Sequence, residues 1–370
     1  MFDAFDRHRM RRALELAAAG RGRTSPNPMV GAVVMRDGRV VGEGFHRYVG
    51  GPHAEVEALS AARQMAKGGT LYVTLEPCCH TGRTPPCTEA VIRAGIARVV
   101  AAVEDPNPAV RGQGFARLRE AGIAVEVGLC EAEARALNAG FFTWVTRGRP
   151  LGILKAGMSL DGRIATRTGV SRWITGEAAR RRAHQMRAEA DAILVGAETA
   201  LRDDPLLTAR EVEVARLALR VVVDSRARLP LTHQLAHTAR QAPTLVATTA
   251  LAPAEKIIAL EDVGVEVLLV EGPGPRVDLS ALAEALAKRE ITSLLIEGGG
   301  TLHAAALEAG IVDRVALFIA PVFLGGTEAV PLVGGVGAAT PGEGWRLTDA
   351  SVERIGDDWL VTGSLSKHVR

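Results

Sequence analysis

The sequence predicts a protein of two α/β domains. Three observations carry that prediction. Strand-like and helix-like segments alternate along the whole chain. Its 370 residues exceed one ordinary domain and suit two. The short polar turn Arg147-Gly148-Arg149-Pro150 interrupts the alternation, which then restarts, so the expected domains are 1–147 and 148–370.

The elements follow in order. MFDAFDRHRMRRALELAAAG reads as an amphipathic helix ending at Gly20. GAVVMRDGRVVGEGF reads as a hairpin turning at Asp37-Gly38. HAEVEALSAARQMA is a helix, TLYVTLEP a buried strand, and CTEAVIRAG a helix closed by Gly95. ARVVAAVED, FARLREAG and IAVEVGL continue as strand, helix and strand, which makes an α/β sandwich around a central sheet. After the break at FFTWVTRGRPLG, LGILKAGM (strand) and GEAARRRAHQMRAEA (helix) lead into AILVG, LRVVVDS, PTLVATTA and VEVLLVEG as strands. LAEALAKR (helix), ITSLLIEGG (strand), TLHAAALEAG (helix) and VDRVALFIAPVFLGG (strand) complete the pattern.

Composition narrows the function classes. With 47% hydrophobic and 23% charged residues the chain can bury two cores, and a net charge of +2 does not mark a nucleic-acid or membrane-surface binder. Arg180-Arg181-Arg182 reads as a solvated helix face. No run approaches the roughly 18 apolar residues of a membrane span. Asp3, Asp6 and Glu15 interrupt the N-terminal segment, so a secretory signal is not expected and a cytoplasmic protein is. In that reducing compartment clustered cysteines bind metal or do chemistry more often than they pair.

Three of the four cysteines fall in TLEPCCHTGRTPPC. Upstream, GGPHAEVEAL offers His53 and Glu55 just after a Gly-Gly-Pro break. Residues two apart do not share a helix face, so the pair serves one site only where the chain enters the helix. A histidine, a glutamate two residues on, then Pro-Cys and a later Cys form the pattern of zinc deaminases. An imidazole and two thiolates leave the fourth position of a zinc ion open to water, and zinc brings the pKa of that water towards neutrality. Glu55 would move the water's proton to the ring nitrogen and the leaving amine. Cys78, at a strand end, and Cys87, at a helix start, are the expected ligands with His53. Cys79 should point elsewhere, and Cys130 is a packing residue. Buried free thiols are the competing reading. Eight residues, CHTGRTPP, separate the two ligand cysteines where zinc deaminases usually have two, and Arg83 within them suits a phosphate or ribose as well as it suits an exposed loop.

The second half lacks a GxGxxG after any expected strand. ITSLLIEGGGTLHAAALEAG instead places three glycines between a strand and a helix, either for approach to a pyrophosphate or for packing. In VVVDSRARLP, Ser225 and Arg226 could hold a 2′-phosphate, which leans towards NADPH, or form an ordinary polar turn. Between Lys155 and Arg210 runs a string of polar groups, Ser171, Arg187, Thr199, Asp203 and Arg210, after a turn at Asp161-Gly162.

PNPMVGAVV, GGPHAEVEAL and TLEPCCHTGRTPPC resemble the deaminase half of the bifunctional riboflavin-biosynthesis deaminase/reductase family. The string from Lys155 to Arg210 and FIAPVFLGG resemble its reductase half, so the likeness covers nearly the whole chain. It implies a cytidine-deaminase-like α/β/α sandwich followed by a dihydrofolate-reductase-like α/β domain. It implies zinc on His53, Cys78 and Cys87, with Glu55 catalytic and Asn27, His46 and Arg83 lining the pyrimidine and phosphoribosyl site. In the second half it implies substrate contacts from Ser171, Arg187, Leu207, Arg210 and Glu297. It implies NADPH contacts from Gly157, Trp173, Thr199, Asp203, Ser225, Gly299, Gly300, Thr301, Leu302 and His303. Two positions depart from the family pattern: Glu57 stands where a histidine is common, and Cys79 where a serine is.

The expected activity is zinc-dependent deamination of a phosphorylated diaminopyrimidine, then NADPH-dependent reduction of its ribosyl group to ribityl. The partners are small molecules, with neither nucleic acid nor membrane, and a homo-oligomer is expected. The competing readings are a deaminase of free or RNA-borne bases with an unrelated second domain, and a non-catalytic zinc module closed by Cys79 or His80.

Overall fold

The computed structural model describes residues 2–80 and 85–367. The chain divides into two compact units, Met1–Gly148 and Arg149–Arg370.

The first unit comprises α1 (Ala4–Ala18), β1 (Gly31–Arg36), β2 (Arg39–Phe45), α2 (Ala54–Ala62), β3 (Thr70–Val73), α3 (Cys87–Arg93), β4 (Arg98–Ala101), α4 (Gln113–Glu120), β5 (Ala124–Val127), α5 (Glu131–Leu137) and α6 (Ala139–Arg147). Its sheet runs β2-β1-β3-β4-β5, with an antiparallel hairpin joined to three parallel strands. The hairpin turn is type I′: Asp37 and Gly38 both have positive φ, 48° and 77°. Strand alternation then feeds two cores. Val34, Leu71, Val73, Val99 and Ala101 face α2, α3 and α4, while Val33, Met35, Tyr72 and Val100 face α1, α5 and α6. The result is an α/β/α sandwich. Helices α5 and α6 have no counterpart in the sequence reading, which placed a break at Phe141–Gly152. Helix α6 runs through Phe141, Phe142 and Trp144 and stops at Gly148, in the left-handed region at φ 65°.

The second unit comprises β6 (Leu151–Ser159), β7 (Arg163–Ala165), α7 (Glu177–Glu189), β8 (Ala192–Gly196), α8 (Ala197–Asp203), β9 (Leu219–Val223), α9 (Gln234–His237), β10 (Thr244–Thr248), α10 (Ala254–Asp262), β11 (Glu266–Leu269), α11 (Leu279–Ala287), β12 (Ser293–Ile296), α12 (Gly300–Glu308), β13 (Arg314–Ala320), β14 (Val330–Pro331), β15 (Trp345–Ile355) and β16 (Asp358–Lys367). Nine strands form one sheet in the order β11-β10-β9-β8-β12-β6-β13-β16-β15. The strands from β11 to β13 are parallel, and the C-terminal hairpin adds two antiparallel strands at one edge. The parallel strands are mostly apolar because the sheet is covered on both faces, and they supply two separate clusters. The segment VDRVALFIAPVFLGG, expected as one strand, is a strand only to Ala320, because Pro321 cannot continue the ladder.

Close packing of β2 on α2 sets the position of the first unit's chemistry. A Cβ on Gly42 would lie 2.1 Å from the Ala58 carbonyl oxygen, and one on Gly44 would lie 2.5 Å from the Ala58 nitrogen. Only glycine lets the helix approach this strand. Gly44→Ala should therefore displace α2 and destabilise the unit by about 1–3 kcal/mol. Thermal unfolding would show a lowered melting temperature, and metal analysis a weakened hold on zinc; an unchanged melt would contradict the packing argument.

Candidate functional site

In the first unit the extended backbone at His53 caps α2 without a side-chain bond, which frees the imidazole to turn away from the helix. Cys78 follows the end of β3, and Cys87, held behind Pro85-Pro86, is the first residue of α3. His53 Nδ1 lies 3.2 Å from Cys87 Sγ and 3.6 Å from Cys78 Sγ. All three donor atoms lie within 4.8 Å of one another, and among the described residues this is the one such cluster of His, Cys, Asp and Glu. Tetrahedral zinc with Zn–N and Zn–S bonds of ordinary length separates its N and S ligands by about 3.6 Å. The donor set and spacing fit that ion. The Cys87 N–H donates to Cys78 Sγ at 3.3 Å. The Cys87 thiol, then the neighbouring His53, hold Cys78 well below the usual thiol range.

Glu55, in the first turn of α2, is 3% exposed. Burial, reinforced by the negative charge of Cys78, pushes its carboxyl up to about 7. A carboxyl with that poise, beside but outside the ligand trio, is suited to accepting and returning a proton. His46 donates from Nδ1 to the Pro52 carbonyl at 3.0 Å and accepts from the Asn27 amide on Nε2 at 3.1 Å. Its ring stands edge-on to His53 at 5.3 Å. Burial keeps His46 neutral, so Asn27 and His46 form a fixed polar wall next to the trio.

Arg83 lies outside the described residues. Cys79 is half-buried and outside the trio, as is the exposed His80, and Cys130 packs into the core beneath α1. Glu57 lies 3.7 Å from Arg47. Sequence reasoning missed Glu76, whose buried carboxylate accepts the backbone N–H groups of Asp105, Gly112 and Phe115 and ties the end of β3 to the entry of α4. The only available signal was an acidic residue inside an otherwise apolar strand.

In the second unit a cavity of about 570 Å³ opens at the carboxyl ends of β6, β8 and β12, where parallel sheets hold ligands. Gly157, Ser171, Trp173, Arg187, Thr199, Asp203, Leu207, Arg210, Glu297, Gly299 and His303 all line it. Gly300, Thr301 and Leu302 form the first turn of α12 behind that wall. Ser225 stands apart from the lining, its hydroxyl accepting the Val277 N–H at 3.1 Å. The three glycines divide their roles. A Cβ on Gly300 would strike the Pro331 carbonyl oxygen at 2.5 Å, so packing requires that glycine, whereas Gly299 faces Thr199 on the cavity wall.

The charged centre of this cavity is Glu297. Arg187 grips it with two bonds of 2.7 and 2.6 Å, and Lys155 Nζ lies 3.6 Å away. Burial alone would raise the Glu297 carboxyl, but the Arg187 and Lys155 charges overcome it and hold it at about 2. The lining also carries Asp203, its carboxyl raised by burial, and Trp173, whose ring lies 4.7 Å beneath the Arg180 guanidinium. Lys155, Arg172, Arg180 and His184 also line the cavity and were absent from the residues expected to form the site. Lys155 was visible only as a lysine interrupting an apolar strand.

Comparison with known proteins agrees with this division. Residues 4–103 match the profile of the cytidine and deoxycytidylate deaminase zinc-binding region, and residues 150–361 match the RibD C-terminal domain. The riboflavin biosynthesis protein RibD of Aquifex aeolicus is 45% identical over 361 residues, covering 98% of this chain and 99% of that protein. The crystal structure of Acinetobacter baumannii RibD superposes with a TM-score of 0.86 at 38% identity, covering 98% of this chain and 99% of that one. A diaminohydroxyphosphoribosylaminopyrimidine deaminase/5-amino-6-(5-phosphoribosylamino)uracil reductase from Thermotoga maritima gives a TM-score of 0.85 at 36% identity, with 98% and 99% coverage. With both regions present in this order over almost its full length, the chain belongs to the RibD family of riboflavin biosynthesis proteins.

Proposed function

We propose that this chain carries out two successive steps of riboflavin biosynthesis. The first unit hydrolytically deaminates 2,5-diamino-6-(5-phosphoribosylamino)pyrimidin-4-one, and the second reduces the ribosyl group of the product to ribityl. The observation that carries the reading is the His53, Cys78 and Cys87 trio beside the buried Glu55. Three ligands without a fourth from Cys79 or His80 suit an open catalytic site better than a closed structural one.

His53, Cys78 and Cys87 would hold zinc, which at such a site supplies Lewis acidity and lowers the pKa of water towards neutrality. Glu55 takes one proton from the attacking water and delivers it to the pyrimidine ring nitrogen, then takes the second from the hydroxyl so formed and delivers it to the departing amine, so that ammonia leaves and a ring carbonyl remains. Asn27 and His46 orient the pyrimidine through their fixed donors and acceptors, and Arg83 is assigned to the phosphoribosyl group.

The second unit would hold NADPH, which when bound would supply the hydride for reduction of the ribosyl C1 in its ring-opened form. Gly157, Trp173, Thr199, Asp203, Ser225 and Gly299–His303 are assigned to the cofactor. Ser171, Arg187, Leu207, Arg210 and Glu297 are assigned to the substrate, with Lys155 holding Glu297 ionised against them. No described helix is long and apolar enough to cross a membrane. The fuller reading is a cytoplasmic homo-oligomer acting on small molecules and on neither nucleic acid nor membrane.

Two substitutions test the two halves separately. Glu55→Gln should keep zinc in metal analysis while ammonia release falls on the order of 10²–10⁴-fold. Unchanged turnover would remove Glu55 from the mechanism. Glu297→Gln should leave Lys155 and Arg187 as buried cations without their counter-charge and destabilise the second unit by about 3–5 kcal/mol. Because the Glu297 carboxyl lies at about 2 in the folded chain against 4.5 ordinarily, its stabilising contribution is present above pH 4.5 and is lost as pH falls towards 2. Acid unfolding of Glu297→Gln should therefore lack that component, and an identical acid profile would contradict the ion cluster.

A further inference from the structure

We infer that His184 determines specificity for the phosphate of the reductase substrate, an inference that rests on the reductase reading above. One face of α7, formed by Ala179, Arg180, Ala183, His184 and Arg187, lines the cavity. Of its polar groups, Arg187 is already engaged. Its Nε and one terminal nitrogen grip Glu297, and the other terminal nitrogen donates to the Thr208 carbonyl oxygen at 3.4 Å. Three of its five N–H groups are thereby taken, which leaves one on each terminal nitrogen for an anion in the cavity.

His184 is differently placed. Its Nδ1 accepts the backbone N–H of Arg210 at 3.3 Å, which fixes the neutral ring with its proton on Nε2. Burial first, then the Arg187 and Arg210 charges, disfavour the imidazolium, so the ring is neutral in the free protein. The same contact brings Arg210 to the α7 face, at the end of a strap whose residues Asp204 and Leu207 hold positive φ of 39° and 53°. This end of the cavity thus gathers Lys155, Arg187 and Arg210 against Glu297, with Glu211 the further carboxylate that bears on the His184 ring. A phosphate monoester meets a net positive field there, a guanidinium from Arg210 and an imidazole N–H from His184. The pyrophosphate of the dinucleotide presents the same chemistry, and the two sources are separated by their Michaelis constants.

Conservative variants separate the two ring nitrogens. Glutamine can place an N–H near the position of Nε2 but not the acceptor at Nδ1, and asparagine does the reverse. Reduction would be followed by NADPH absorbance with the deaminated phosphoribosylamino pyrimidine and with its dephosphorylated counterpart. His184→Asn and His184→Ala should raise KM for the phosphorylated compound on the order of ten- to a hundredfold, the loss of one hydrogen bond to a charged group. KM for the dephosphorylated compound and for NADPH should stay near wild type, His184→Gln should retain most of the discrimination, and inorganic phosphate should compete less well against His184→Asn than against wild type. An unchanged KM for NADPH and an unchanged thermal melt report that the second unit of each variant is folded. Equal losses for both compounds, a raised KM for NADPH instead, or activity kept by Asn and lost by Gln would each overturn the assignment. The last result would mean that His184 only holds the Arg210 backbone. Absence of NADPH oxidation by the wild-type chain would overturn the reductase reading and this inference with it, whereas failure confined to the variants' discrimination overturns the inference alone.

Discussion

The contact on which the first unit's chemistry depends is the Cys87 N–H donating to the Cys78 sulfur at 3.3 Å. It joins two thiols that stand nine positions apart and lie on different elements, and it does so at a helix start, where backbone N–H groups lack partners within the helix. The Thr88 N–H adds a bond to the Cys78 carbonyl oxygen at 3.1 Å. Together they set the end of β3 against the beginning of α3 and stabilise negative charge on the half-buried Cys78 sulfur. His53 can complete the trio only because Gly42 and Gly44 let α2 lie directly on β2. A glycine stripe, a helix start and a thiolate are thus parts of one constraint, and Glu55 acquires its raised carboxyl from the same enclosure.

The second unit solves a related problem with opposite charges. A buried carboxylate at the end of β12 is tolerable only when paired, and Arg187 from α7 and Lys155 from β6 supply two cations. The pairing welds three elements around the cavity mouth and leaves a net positive field there. Beside it, the strap from Asp204 to Arg210 is held by Gln234, His184 and the buried Arg220, whose guanidinium donates to the Leu206 carbonyl oxygen at 3.1 Å. Two cavity walls are therefore fixed by hydrogen bonds before any ligand arrives, which lowers the ordering cost of binding.

Local patterns carried much of this architecture. Asp37-Gly38 announces its hairpin because few other pairs tolerate two positive φ values, and the parallel strands of the second unit announce themselves as apolar runs. The residues of the trio were legible because spacing and residue type together are informative. What was not legible is what depends on distant pairing. Arg187 and Glu297 are 110 positions apart, and no local pattern says that one serves the other. His184 looked like one more polar residue on a charged helix, because its meaning comes from the Arg210 backbone. Helices α5 and α6 escaped notice because they are short, Glu131–Leu137 and Ala139–Arg147, and run directly into the polar turn read as a domain break. The C-terminal hairpin of β15 and β16 likewise has no counterpart in the sequence reading, because β15 is mostly exposed and is held by its pairing with β16.

The most direct test mixes the zinc-loaded chain with the diaminopyrimidine substrate and NADPH and follows ammonia and NADPH absorbance together. Two successive steps on one chain predict ammonia release first, then NADPH oxidation that requires the deaminated product and ends in a ribityl compound. Ammonia without any NADPH oxidation, even when the deaminated intermediate is supplied directly, would contradict the account.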